Sequence, residues 1–161
     1  MTDLNDIPDI VHHFKLPTPT SITPAGLGLI NATWFIETKK GDFVVQKMNP
    51  MFTEHTCYDA QRICEYLLTC NIPVPTYLLT TSGKPFLKTS DALYRVMKKM
   101  EGDTHAAITH PDQASTASRL MAQLHTALRT FDYQCHGSLP HFHDMDFYFD
   151  ILKRLIIDPQ F

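Results

Sequence analysis

A chain of 161 residues, 43% apolar and 19% charged, can hold one domain with a core, or a small lobe and part of another; disorder is excluded. Its net charge of −3, pI near 6.3 and lack of any basic tract argue against nucleic acid or an anionic membrane as main partner. The acidic start Met1-Thr-Asp-Leu-Asn-Asp is unlike a signal peptide, and no stretch approaches a membrane span. Cys57, Cys64, Cys70 and Cys135 lack Cys-x-x-Cys spacing, so structural thiols in a reducing cytoplasm are expected.

In chain order, Ile7, Ile10, Val11 and Phe14 have helical spacing, with Pro8 suited to a first turn. Pro17, Pro19 and Pro24 keep the next stretch extended, and residues 21–25, 31–38 and 43–48 read as strands. Thr56-x-x-Asp59 is a capping pattern for a helix over 57–69, with Ala60, Ile63, Cys64, Leu67 and Leu68 as its apolar stripe. Residues 74–79, 85–88 and 92–97 read as further strands, giving an antiparallel sheet of about five strands with one helix. After Gly102 the strands stop. Thr109-x-x-Asp112, with Pro111, opens a helix turning Ala114, Ala117, Met121, Leu124 and Leu128 inward, and Tyr148, Ile151, Leu152 and Leu155 mark a last helix. The fold class is therefore α+β, with a β-rich lobe over 1–100 and a helical part over 101–161.

The residues that carry chemistry lie in the first hairpin. Gly26-Leu-Gly28 precedes a strand, a Lys39-Lys-Gly-Asp42 turn follows, and Lys47 sits in the next strand. Glycines let backbone N–H groups approach an anion closely, and a strand lysine supplies a point charge. A Gly-x-Gly alone is also what an ordinary loop before a hairpin looks like.

The motifs together resemble the aminoglycoside phosphotransferase/choline kinase-like superfamily, most closely its N-acetylhexosamine 1-kinase-like branch. The resemblance is carried by Gly28-Leu-Ile-Asn31-Ala-Thr33-Trp-Phe, Val45-Gln46-Lys47-Met48-Asn49 with Phe52, Tyr94-Arg95-Val96 and Met100-Glu101-Gly102. Leu124-His125, Phe131-Asp132 and Leu139-Pro-His-Phe142-His143-Asp144 follow in the same order. It implies a kinase-like N-terminal lobe, then the first helices of a C-terminal lobe. Gly26, Gly28, Asn31 and Thr33 would line a phosphate loop for ATP, and Lys47 would meet the α/β phosphates. The backbone of Lys98 to Met100 would bind adenine, with Met97 behind it. Gln61 stands where the family offers a glutamate to the lysine, and Glu65 follows one turn later.

The resemblance also implies what this stretch lacks. A catalytic-loop aspartate and a metal-binding asparagine should follow the hinge, yet the last asparagine is Asn71, and His136-Gly137-Ser138 has serine where aspartate is needed. The expectation is a nucleotide-binding portion of a small-molecule kinase, inactive alone, with Mg²⁺ and a hydroxylated acceptor such as a sugar or amino sugar only in a complete enzyme. The last two helices should expose apolar surface and could support self-association. Two alternatives stay open. One is a non-catalytic nucleotide-binding module working with a partner. The other is a metal site in the cluster His136, His141, His143, Asp144 and Asp146, although its spacing lacks the i, i+4 pattern of a helical zinc motif.

Overall fold

The computed structural model describes residues 6–26, 30–103, 105 and 107–157. The elements run α1 (Ile7–His13), β1 (Pro19–Pro24), β2 (Ala32–Thr38), β3 (Phe43–Lys47) and α2 (Glu54–Thr69), then β4 (Leu87–Lys88), β5 (Leu93–Lys98), α3 (Pro111–Leu128) and α4 (Met145–Ile157). All strand pairings are antiparallel, in the order β1-β2-β3-β5-β4. Gly41, at a φ of 119° that side chains disfavour, turns the chain between β2 and β3.

Directly opposed residues share a face of the sheet, so the register sorts the side chains. Ala32, Lys47 and Tyr94 form one cross-strand row, and Thr33, Gln46 and Arg95 form the next, on the opposite face. Phe35, Val44 and Met97 are on the second face too. The first face is closed by α1: Ile7, Ile10, Phe14 and Leu16 pack with Trp34, Ile36, Phe43, Val45, Tyr94 and Val96 in the main buried cluster. The second face is covered in part by α2, whose Cys57 joins Met48 and Phe86 in a smaller cluster.

Three elements differ from the sequence reading. Helix α2 begins at Glu54, after a Thr53 that makes no side-chain cap bond, and Asp59 lies inside it rather than capping it. Tyr133, His136 and Gly137 take up the Asp59 carboxylate instead. Residues 74–79 make only the bridge Tyr77↔Met97 and the bonds Leu78 N–H to Val96 and Lys98 N–H to Thr76, since Pro73 and Pro75 carry no N–H for a full ladder. His110, rather than Thr109, caps α3, sharing a capping box with Gln113.

The helical part behaves differently from the sheet. Neither α3 nor α4 buries a residue, and the residues expected inward on them are half-buried at best. Met121, Tyr148, Phe149, Leu152 and Leu155 are exposed. Helix α3 meets α2 through Tyr66, whose hydroxyl donates to the Ala127 carbonyl at 3.1 Å and whose ring stacks on Phe131 at 4.5 Å. No helix among the described residues is long and apolar enough to cross a membrane.

Candidate functional site

The described flanks of the β1–β2 connection, residues 25–26 and 30–31, are held by bonds to β2 and to the chain leaving β3. Gly26 has a φ of 81°, which suits glycine, and the Ala25 N–H donates to the Thr33 carbonyl at 2.9 Å. The Asn31 carboxamide oxygen accepts the Asn49 N–H at 2.9 Å, and the Asn49 side chain returns a bond to the Ile30 carbonyl at 3.4 Å. Asn31 thus ties the turn to the end of β3. Gly28 lies outside the described residues.

On the α2-covered face a polar relay crosses three strands. The Arg95 Nε donates to Gln46 Oε1 at 2.8 Å, and Gln46 Nε2 donates to Thr33 Oγ1 at 3.3 Å. The Thr33 hydroxyl then donates to the Asn31 carbonyl at 3.5 Å, reaching the glycine turn. Arg95 also stands over the Tyr77 ring at 5.3 Å. Burial pushes the Cys57 and Cys64 thiols up, while Arg95, lying between α2 and the sheet, draws them partly back.

Lys47, expected at phosphates, is placed on the α1 face. Its ammonium lies 3.2 Å from Asp91 Oδ2 and 5.6 Å from the centre of the Tyr94 ring. The hydrogen bond the ammonium donates to Asp91, and then the one it donates to the Tyr94 oxygen, raise the lysine's pKa. Tyr94 is itself pushed up to about 12, first by burial and then by its hydroxyl bond to Asp6. Gln61, expected beside Lys47, donates to Glu65 Oε1 at 2.7 Å. Neither Gln61 nor Glu65 bonds to Lys47 among the described residues, because α2 covers the other face of the sheet.

The hinge residues Lys98 and Met100 lie beside an open groove of about 610 Å³ between the β2–β3 turn and residues 98–102. The Lys98 and Lys99 N–H groups are taken by the Thr76 and Asp42 carbonyls. The Lys99 ammonium sits 5.1 Å above the Phe35 ring. The apolar row Phe35, Val44 and Met97 leads from this hinge toward the polar row Thr33, Gln46 and Arg95.

The histidine cluster is dispersed. His141 Nδ1 meets Asp144 Oδ2 at 3.2 Å and its ring stacks on Phe147, while the His136 N–H donates to Asp59. Among the described residues no three His, Cys, Asp or Glu side chains converge on a possible metal position. Sequence reasoning read Asp59 only as a cap and Arg95 only as part of a strand motif, and missed the partners of both. An aspartate inside a helix and an arginine within an apolar strand were the available signals.

Residues 21–155 match the phosphotransferase enzyme family. The chain belongs to that family. Its fold is similar to spectinomycin phosphotransferase APH(9)-Ia, solved in complex with ADP and spectinomycin, with a TM-score of 0.59 at 9% identity. The match covers 79% of this chain and 38% of that one, so the chain spans well under half the length of this relative. The five-stranded antiparallel sheet with its helices is the kinase-like N-terminal lobe of the aminoglycoside phosphotransferase fold.

Proposed function

We propose that this chain is the nucleotide-binding N-terminal portion of an ATP-dependent small-molecule phosphotransferase, with its lobe over residues 1–100 and the start of a helical lobe over 101–161. The observation that carries this is the division of the α2-covered sheet face. An apolar row beside the hinge suits a purine ring, and a polar row beside the glycine turn suits phosphates. Within the described residues, the Lys98 and Lys99 N–H groups are committed to other carbonyls, so Met100 is the hinge donor for the base. Gly26, Gly28 and Thr33 would shape the phosphate turn, and Asn31 would hold it through Asn49. ATP supplies the transferable phosphoryl group. These residues bind and orient it, which is most of what a phosphotransferase contributes.

The acceptor contacts and the Mg²⁺ ligands would belong to the helical lobe, with a sugar or amino sugar as the acceptor class the sequence resemblance favours. The exposed apolar side chains of α3 and α4 fit such a lobe, and in isolation they would favour self-association. Isothermal titration with ATP, ADP and adenosine tests the nucleotide reading. Weak binding of all three, tightest for ATP, is the expected result. A protein that binds none of them overturns it.

A further inference from the structure

We infer that the phosphate-facing cation of this site is Arg95 on β5, positioned by Gln46, and that Lys47 is a scaffold residue of the opposite face. This rests on the nucleotide reading above and names the side chain that carries its charge.

The face is decided by register. Successive strand residues point to opposite sides, and Lys47 shares its row with Ala32 and Tyr94, against the cluster closed by α1. To reach the other face its side chain would have to pass through the β2–β3–β5 ladder. Its charge is also met already, by Asp91 at 3.2 Å.

Arg95 differs on both counts. It shares a row with Thr33 and Gln46 on the face whose apolar row leads to the hinge, and it is half-buried. Among the described residues no carboxylate forms an ion pair with it. Its Nε is held by the neutral Gln46 amide, which orients the guanidinium without cancelling its charge. That bond uses Nε, and the two terminal nitrogens keep the planar fork that fits two phosphate oxygens. Gln46 is fixed in turn, since its oxygen accepts from Arg95 while its nitrogen donates to Thr33, whose hydroxyl bonds the end of the glycine turn. One unbroken relay therefore joins the cation to Asn31, which is itself tied to the end of β3. A half-buried guanidinium without a counter-ion is costly to keep, and an anionic ligand on this face relieves that cost.

Calorimetric titration of the 161-residue chain with ATP, adenosine and inorganic tripolyphosphate tests the assignment, using Arg95→Gln, Arg95→Lys and Lys47→Met, each with its circular dichroism checked. Arg95→Gln should lower affinity for ATP and tripolyphosphate about tenfold or more, the scale of one charge-assisted contact, and leave adenosine within about twofold. Arg95→Lys, which keeps a cation but loses the fork, should fall between, and it decides the matter if Arg95→Gln does not fold. Lys47→Met should bind ATP within about twofold of the parent. The assignment is overturned if Lys47→Met loses the affinity and the Arg95 variants keep it, with the nucleotide reading intact. Tripolyphosphate binding that depends on Arg95, without ATP or adenosine binding, upholds the anion site and overturns the nucleotide reading. No binding of any probe overturns both.

Discussion

The two faces of the sheet are built from the same five strands and do different work. The α1 face is an apolar cluster in which Ile10, Ile36, Val45 and Val96 are fully buried. The α2 face carries half-buried Phe35 and Val44 beside half-buried Thr33, Gln46 and Arg95, and the last three are joined by hydrogen bonds. Stability is concentrated on the first face, and the proposed function puts recognition on the second. A binding face must keep polar groups and open surface, and that lowers what it can bury.

The contrast is sharpest in paired truncations. Ile36→Ala removes fully buried methyl groups from the α1 cluster and should destabilise the protein by about 2–5 kcal/mol. Val44→Ala, half-buried on the other face, should cost about 0.5–1.5 kcal/mol, since less area leaves water and the site can relax. Denaturant unfolding measures both. Equal costs would break the division of labour between the faces.

A second test concerns how the helical part is fastened to α2. Asp59 accepts the Tyr133 hydroxyl at 2.8 Å, the His136 N–H at 3.0 Å and the Gly137 N–H at 2.6 Å. Burial pushes its carboxyl up, but the Gly137, Tyr133 and His136 donors together outweigh burial and hold it below the usual range. Asp59→Asn keeps the shape and loses the charge, which should cost about 1–3 kcal/mol at neutral pH. Because the folded-state pKa is depressed, this stabilisation is complete above the ordinary carboxylate value and is lost as pH falls through the folded pKa. The gap in melting temperature between parent and variant should therefore narrow below about pH 4. A gap that stays constant down to pH 3 would show that the charge does not fasten this loop. Gly137→Ala should also weaken it, since a Cβ there would lie 2.9 Å from Asp59 Oδ2 and 3.0 Å from the Thr56 Cα.

Much of the fold was legible in the sequence because it is local. Periodicity located α1, the β2–β3 hairpin and the late helices, and the ordered motifs from Gly26 to Asp144 pointed to the family that residues 21–155 match. The site was less legible because it depends on register. Phe43-Val44-Val45 is apolar on both faces, so alternation could not say which side Lys47 takes. The partnership of Gln46 with Arg95 spans 49 positions and exists only once β3 pairs with β5. Asp59 reads locally as a cap, and its partners are 74–78 residues away.

The smallest expected effect concerns Gln61, where a family glutamate would have been offered to a strand lysine. If α2 presented position 61 to Lys47, Gln61→Glu would create an ion pair and stabilise the protein. The structure puts Gln61 one turn before Glu65, with its amide donating to that carboxylate at 2.7 Å. The substitution then replaces a hydrogen bond by two like charges at i, i+4 spacing, a destabilisation of about 0.2–0.5 kcal/mol. Arg62, 3.2 Å from Glu65, screens part of it, and added salt should erase most of the remainder. Melting curves at low and high ionic strength read this directly. A small loss that vanishes in salt supports the placement of α2 over the Arg95 face. A salt-sensitive gain in stability that Lys47→Met abolishes would instead bring Lys47 and α2 together, and would erase the difference between the two faces of the sheet.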